Sequence, residues 1–217
     1  MGTDIYTAAE RRRRSGGWER AEPMIPNPFR RDEDWMRIVR RTPGWENRYP
    51  ELVRERIFDG RNRDLYNALA FGVSAGPVSL VEPIAQPRGL PDDVTEETQA
   101  NDHSDAYGHS WLLVREIEEF DWDQPVIETT APCVAVEPWA PQNPPRGYPN
   151  GVRLPEDPEW VPVGERLVSK YGAVVQCYAR PASRTYRESC EHFLNVSLAR
   201  LRSYGPPAEV RLVLWFD

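Results

Sequence analysis

The chain has 217 residues, 40% hydrophobic and 28% charged, with a formal net charge of −7. This length fits one globular domain with room for an insertion. Non-specific coating of nucleic acid relies on dense Lys and Arg, so the acidic balance argues against it. Neither an apolar run of the ~18 residues that span a membrane nor a signal-peptide pattern is found. We therefore expect a cytoplasmic protein that makes no membrane contact.

The first half of the chain predicts two strands and then mainly helices. Residues 3–10 and 18–20 have the composition of strands, and Ser15, Gly16 and Gly17 form the turn between them. Apolar spacing, proline at a first helical position and glycine after a last one predict the helices. These helices cover 32–41, 50–58 and 62–71, and a loop is expected over 77–93.

The second half predicts a helix, several strands and a proline-rich excursion. Ser110 is expected to cap a helix whose apolar residues follow at helical spacing. Eight prolines between residues 138 and 162 predict an ordered loop that packs over the surface. A capping box at Thr185 opens the strongest predicted helix. The remaining predicted strands are 125–129, 133–137, 173–179 and 210–216.

These elements together predict an α+β fold. We expect a single, mostly antiparallel sheet that includes both terminal strands, with helices packed on it. Residues 210–216 are apolar on both faces, which is typical of a central strand. The whole of 1–217 is expected to form one globular domain, with 138–162 as its proline-rich loop. The three cysteines, at 133, 177 and 190, lack metal-ligand spacing and are expected to be small buried hydrophobes.

A polar stretch before the predicted Ser110 helix carries the first candidate chemistry. Asp102, His103 and Asp105 precede His109 by a few residues. His with Asp could act in general acid–base catalysis, and mixed His and Asp ligands could bind a transition metal. Capping or loop stabilisation explains the same residues equally well, and we assign no metal site.

Two arginine-bearing turns carry the second candidate chemistry. Arg88 lies in Pro-Arg-Gly-Leu-Pro, where two prolines fix the backbone and would hold the guanidinium for bidentate recognition of a phosphate or carboxylate. Arg61 lies in a turn before a predicted helix start, where free N–H groups bind anions. The alternatives are a structural turn, with Arg88 paired to Asp92 or Asp93, and a simple helix cap.

Several segments, taken in order, resemble a family of uncharacterised proteins encoded by bacteriophages and prophages. The matching pieces span nearly the whole chain. They are Met-Gly-Thr-Asp-Ile-Tyr at the start with Glu10 and Trp18, Gly60-Arg61-Asn62 with Asp64-Leu65, Pro87-Arg88-Gly89-Leu90-Pro91, His109-Ser110-Trp111-Leu112 and the terminal Val-Arg-Leu-Val-Leu-Trp-Phe-Asp. Family members usually start Met-Gly-Cys-Asp-Ile-His, so Thr3 and Tyr6 replace two residues that could bind a metal. The resemblance implies a site made of Asp4, Arg61, Asp64, Arg88, His109 and Ser110.

Three functions follow as expectations. The first is an accessory phage protein of the bacterial host cytoplasm that binds a small anionic, nucleotide-like ligand through Arg61, Arg88, His109 and Ser110 and counters host defence signalling. The second is a hydrolase-like enzyme that uses His109 with Asp4, Asp64 or Asp105. The third is a structural or protein-interaction role. The cofactor stays unknown, and self-association into a homo-oligomer stays open.

Overall fold

The computed structural model describes residues 4–58, 60–75, 78–100, 106–129, 133–135, 161–168 and 174–217. The strands are β1 (Ile5–Arg12), β2 (Trp18–Arg20), β3 (Met24–Pro26), β4 (Leu52–Arg54), β5 (Val73–Ala75), β6 (Val78–Val81), β7 (Tyr107–Leu113), β8 (Pro125–Thr129), β9 (Cys133–Ala135), β10 (Val161–Val168), β11 (Val174–Thr185) and β12 (Val210–Phe216). The helices are α1 (Glu33–Arg41), α2 (Arg63–Tyr66), α3 (Glu96–Ala100), α4 (Val114–Glu119), α5 (Tyr186–Ser189) and α6 (Ala199–Ser203). Shorter 3₁₀ turns cover Pro28–Arg31 and Glu46–Arg48, and π-helical turns cover Asn67–Phe71 and Phe193–Leu198.

The chain divides into two compact units. Unit 1 consists of Met1–Arg61, Arg88–Arg115 and Asn195–Asp217. Unit 2 consists of Asn62–Pro87 and Glu116–Leu194. Within the described residues, no helix is long and apolar enough to cross a membrane.

Unit 1 is built on an antiparallel sheet with strand order β2-β1-β12-β7. β1 and β12 pair along their whole length, from Ile5 opposite Phe216 to Arg11 opposite Val210. All seven residues of β12 are buried, and neighbouring strands flank it on both sides. The α+β fold with an antiparallel sheet that contains both terminal strands is confirmed.

A charged network is buried in this sheet. Arg211 donates to Glu10 from Nε at 2.9 Å, and its Nη2 lies 2.7 Å from the same carboxylate oxygen. The other Glu10 oxygen accepts hydrogen bonds from the Thr95 hydroxyl and backbone N–H and from the Thr98 hydroxyl. The exposed fraction of the side chain is 3% for Arg211 and 0% for Glu10. Because its charges are paired and hydrogen-bonded, this network is a structural element of the core.

Asp93 and Trp18 complete the surroundings of Arg211. The Arg211 Nη1 donates to an Asp93 carboxylate oxygen at 2.6 Å, and the Trp18 indole donates to the other at 2.9 Å. The guanidinium carbon lies 4.0 Å from the centre of the Trp18 ring, in a cation–π contact. Asp93, one of the carboxylates considered as a partner for Arg88, therefore serves Arg211.

Unit 2 contains a second antiparallel sheet, in which β11 pairs with β10 on one side and with β8 and β9 on the other. A small ribbon of β5 and β6 accompanies it. The capping box predicted at Thr185 is confirmed, since the Thr185 hydroxyl accepts from the Glu188 N–H and the Glu188 carboxylate accepts from the Thr185 N–H. Apolar residues of the following helical segment are buried, among them Tyr186, Cys190 and Phe193.

Three local predictions are wrong. The helix expected over 50–58 is replaced by β4, because Leu52–Arg54 pairs with Met24–Pro26 and this tertiary pairing overrides the helical signal. Ser110 caps no helix: it lies within β7, opposite Leu214, and the helix begins only at Val114. The loop expected over 77–93 contains the strand β6.

The proline-rich prediction meets the structure at one end only. Val161 and Pro162, its last residues, pair with β11 as the start of β10. Residues 138–160 lie outside the described residues, as does His103.

Candidate functional site

A cavity of about 590 Å³ lies in unit 1 along the edge of β1. Among the described residues this edge has no strand partner beside Ile5 and Thr7, because β2 pairs only with Glu10, Arg11 and Arg12, at the far end of β1. The ribbon of β3 and β4 contributes a second part of the wall. The lining residues are Asp4, Ile5, Tyr6, Thr7, Arg20, Met24, Pro50, Leu52, Val53, Arg54, Glu55, Arg56, Phe58, Gly60, Glu97 and Trp215.

Arg20 brings a buried guanidinium to the cavity wall. Its side chain is only 5% exposed. Nε and Nη2 each donate to the Glu22 carboxylate at 2.9 Å. That carboxylate is fixed in turn, since it accepts the Ala9 N–H. The Arg20 Nη1 is buried and has no hydrogen-bond partner among the described residues.

Trp215 brings a second donor of the same kind. Its ring is 3% exposed, and its indole N–H is buried without a partner in the described part of the chain. Tyr6 stacks on it, with the ring centres 6.1 Å apart and the planes 5° from parallel. The Tyr6 hydroxyl donates to Asp217 at 3.0 Å, and burial together with this carboxylate raises the pKa of Tyr6. Two residues of the wall thus carry a buried donor that the described residues leave without an acceptor, although native proteins pair nearly all such groups.

The charges around the cavity are balanced. Three arginines and three carboxylates line it, namely Arg20, Arg54, Arg56, Asp4, Glu55 and Glu97. Arg54 and Glu97 form a bidentate pair at 2.7 and 2.9 Å, and the hydrogen bond from Arg54 lowers the pKa of Glu97. The cavity therefore offers directed hydrogen-bonding groups but no strong net positive field.

Part of this wall is apolar. Met24 and Leu52 are 48% and 49% exposed, which is high for side chains of their type. Met24 pairs with Arg54 and Pro26 pairs with Leu52, so these side chains share one face of the β3–β4 ribbon. The ribbon thus offers an apolar surface next to the Arg54 guanidinium.

Asp4 and Arg61, two of the residues expected at a site, lie together at the end of β1. Arg61 holds Asp4 through two hydrogen bonds, from Nε to one carboxylate oxygen and from Nη2 to the other, the latter at 2.8 Å. The hydrogen bond from Arg61 lowers the pKa of Asp4. Asp4 lines the cavity, whereas Arg61 is not among the lining residues.

Arg88, His109 and Ser110 form a second group, along the outer edge of β7. The Arg88 N–H donates to the Ser110 hydroxyl at 3.2 Å, and the Gly89 N–H donates to the His109 carbonyl at 2.9 Å. The Arg88 guanidinium lies over the Trp111 ring, 4.8 Å from its centre. The structure brings these three residues together, but none of them lines the cavity.

The remaining expected residues lie apart or outside the described residues. Asp64 belongs to unit 2, where its carboxylate lies 3.4 Å from Arg184. Asp105 is outside the described residues. Among the residues that the structure describes, no group of three or more His, Cys, Asp and Glu side chains could hold a metal ion.

Sequence reasoning missed Arg20 and Trp215. The sequence predicts only that Arg20 lies in a strand and that Trp215 is an ordinary core residue. A weak signal exists for Arg20: residues two apart in an extended segment share a face, which places Arg20 beside Glu22 and indicates a buried pair. No local signal separates the Trp215 indole from one that is satisfied in the core.

Comparison with known proteins gives no match, whether to a protein family model, a curated protein or a solved structure. The functional argument therefore depends on the geometry of the cavity.

Proposed function

We propose that this protein binds a small anionic, nucleotide-like ligand in the cavity along β1. The observation that carries the proposal is Arg20, a residue of the cavity wall whose Nη1 is buried and has no hydrogen-bond partner among the described residues. Because this atom is shielded from solvent, a ligand reaches it only when the side chains that cover it move. An unsatisfied buried donor costs about 1–3 kcal/mol, and more when it is charged. A phosphate or carboxylate that accepts this N–H recovers that cost on binding, so the empty donor favours an anionic acceptor.

The dimensions and surface of the cavity support a small organic ligand. Its volume of about 590 Å³ lies within the ~300–1,000 Å³ typical of small-molecule sites. Met24 and Leu52 offer half-exposed apolar surface for a ring. Six of the sixteen lining residues are charged, so the cavity is more polar than the mostly apolar walls of a typical small-molecule site, which suits a charged ligand.

The resemblance to phage-encoded proteins supports a biological setting for this activity. A binding protein without catalysis acts by sequestering its ligand. Captured nucleotide signals of host defence would then fail to reach their receptors in the infected cell. This setting rests on the resemblance and is separate from the binding activity itself.

Isothermal titration with cyclic nucleotides and ADP-ribose derivatives tests the proposal. We expect at least one to bind, and Arg20→Lys to weaken that binding at least tenfold, because lysine keeps a charge near Glu22 but loses the Nη1 donor. Arg11→Lys is the matched control, since Arg11 forms an exposed pair with Glu19 at 2.8 Å in the same hairpin. Silence across the panel, or equal loss in both variants, would refute the proposal.

The geometry favours binding over the hydrolase alternative for His109 with Asp4. His109 lies on β7, which does not neighbour β1 in the sheet, and both oxygens of the Asp4 carboxylate already accept hydrogen bonds from Arg61. Direct proton transfer needs contact at about 3 Å.

A further inference from the structure

The geometry points to a nucleobase as the second recognised group: we propose that the base hydrogen-bonds to the open backbone edge of β1 at Thr7, while Arg20 takes the anion. This inference rests on the proposed function and names how its ligand is selected. The backbone edge of β1 would thus select among ligands through its hydrogen bonds to the base.

The hydrogen bonds of β1 establish which way its backbone groups point. On the β12 side, Asp4 exchanges two backbone hydrogen bonds with Asp217, and the Arg12 N–H donates to the Glu209 carbonyl. Ala9 does the opposite: its carbonyl accepts the Ala21 N–H and its own N–H donates to Glu22. Backbone groups alternate between the two sides of a strand in an antiparallel sheet.

Ile5 and Thr7 share the orientation of Ala9, because each is separated from it by an even number of residues. Their N–H and C=O groups therefore point away from β12, toward the open edge, and both residues line the cavity. The N–H and C=O of Thr7 lie on the same side and form an adjacent donor and acceptor. Nucleobases carry adjacent acceptors and donors on their edges, such as the ring nitrogen and amino group of adenine.

Thr7 is held in place on its other side. Its hydroxyl accepts the Phe58 N–H at 3.3 Å, which ties β1 to the segment that follows β4. This contact involves the side chain and leaves the orientation of the Thr7 backbone unchanged. This hydrogen bond restrains Thr7 before the ligand binds, which limits the loss of conformational entropy of the protein on binding.

Arg20 stands where the open edge ends. Arg20 pairs with Glu10, and the Ala21 N–H donates to the carbonyl of Ala9, the residue before Glu10. Glu10 is three residues beyond Thr7, about 10 Å along an extended strand. An elongated ligand can therefore lie along β1 with its base at Thr7 and its phosphate toward Arg20. Strand edges more often recruit peptides, but a buried arginine at the end of the edge favours an anion.

The experiment compares nucleoside 5′-monophosphates with ribose 5-phosphate, which carries the same anion without a base. Titration of the whole protein should show at least one nucleotide bound ten times more tightly than ribose 5-phosphate. Thr7→Pro removes an N–H outside the β1–β12 ladder together with the hydroxyl that accepts the Phe58 N–H, and the ladder itself tolerates the change in principle. It should reduce nucleotide affinity to the ribose 5-phosphate value and leave the latter within twofold.

Thr7→Val is the matched control, because it loses the hydroxyl and keeps the N–H, and it should retain the nucleotide preference. Should Thr7→Pro fail to fold, amide exchange decides: the Thr7 N–H of the unmodified protein should gain protection with nucleotide and not with ribose 5-phosphate. Equal affinity for the two ligands would overturn base reading while anion binding stands. Absence of binding by either, while a cyclic nucleotide or an ADP-ribose derivative binds, would overturn this inference alone; absence of binding by all of these ligands would overturn the proposed function itself. Protection of Thr7 only by an extended peptide would overturn the nucleobase in favour of strand addition.

Discussion

Replacing Arg211 with methionine should destabilise unit 1 severely. Glu10 would keep its hydrogen bonds from Thr95 and Thr98 but lose its buried cation, since both partners of the pair are almost fully buried. Removing one partner of a buried ion pair costs about 3–5 kcal/mol. Total stabilities of about 5–15 kcal/mol make that a large fraction of the whole. In urea, the midpoint of unfolding should fall accordingly with an unchanged slope.

The physical cause can be separated from simple loss of packing. Glu10→Gln removes the charge but keeps an oxygen that can accept from Thr95 and Thr98. If the uncompensated carboxylate is the problem, adding Glu10→Gln to Arg211→Met should restore a large part of the lost stability. A double variant less stable than Arg211→Met alone, or a cost of Arg211→Met below about 1 kcal/mol, would refute the reasoning.

The pH dependence provides a second check with a definite sign. Burial opposes ionisation of Glu10, but hydrogen bonds from Thr95, Thr98 and Arg211 outweigh it and lower its pKa. Its ionised form thus stabilises the native protein above the unfolded pKa of about 4.3, and this contribution is lost as pH falls. Without Arg211, burial dominates and the pKa rises, so folding takes up a proton. The stability gap between the two proteins should therefore narrow from pH 7 toward pH 4.

Two further predictions concern unit 2 and one control position. Gly72→Ala should lower the thermal stability far more than Gly89→Ala, because a Cβ at Gly72 would lie 2.3 Å from the Val81 carbonyl oxygen, whereas a Cβ at Gly89 would meet nothing within 4 Å. Both glycines have a positive φ, so a backbone cost of about 1–2 kcal/mol is common to the two variants. Equal losses of stability would contradict the clash at Gly72. Cys190 should resist alkylation at pH 8 until the protein unfolds, because burial raises the pKa of its thiol to about 12; rapid labelling of the Cys190 peptide in native protein would contradict this.

Patterns that report local physics predicted much of the fold. Strand-like composition located β1, an apolar run located β12, and the capping box located the helix start at Thr185, because each signal is complete within a few residues. The prediction of a helix over 50–58 was wrong because the strand β4 forms by pairing with β3, Met24–Pro26, about thirty residues earlier in the chain. No window along the chain contains that information.

The candidate site shows the same limit more strongly. Arg88, His109 and Ser110 do lie together, which their rigid flanking residues and nearness along the chain made predictable in part. The cavity instead draws on Arg20, Trp215 and the ribbon of β4, which only the register of the sheet brings to one wall. The key property of Arg20 is that its Nη1 has no hydrogen-bond partner among the described residues, and a sequence does not report which bonds are left unmade.

The pairing of β1 with β12 has a consequence for synthesis. These strands meet across 211 positions, from Ile5 to Phe216. At about 5–20 residues per second, a ribosome needs on the order of 10–40 s to make the intervening chain. During that time the backbone edge of β1 that pairs with β12 has no partner strand, so we expect the nascent chain to depend on chaperones. Synonymous codons that slow translation between these strands should therefore lower the yield of folded protein without changing a single side chain.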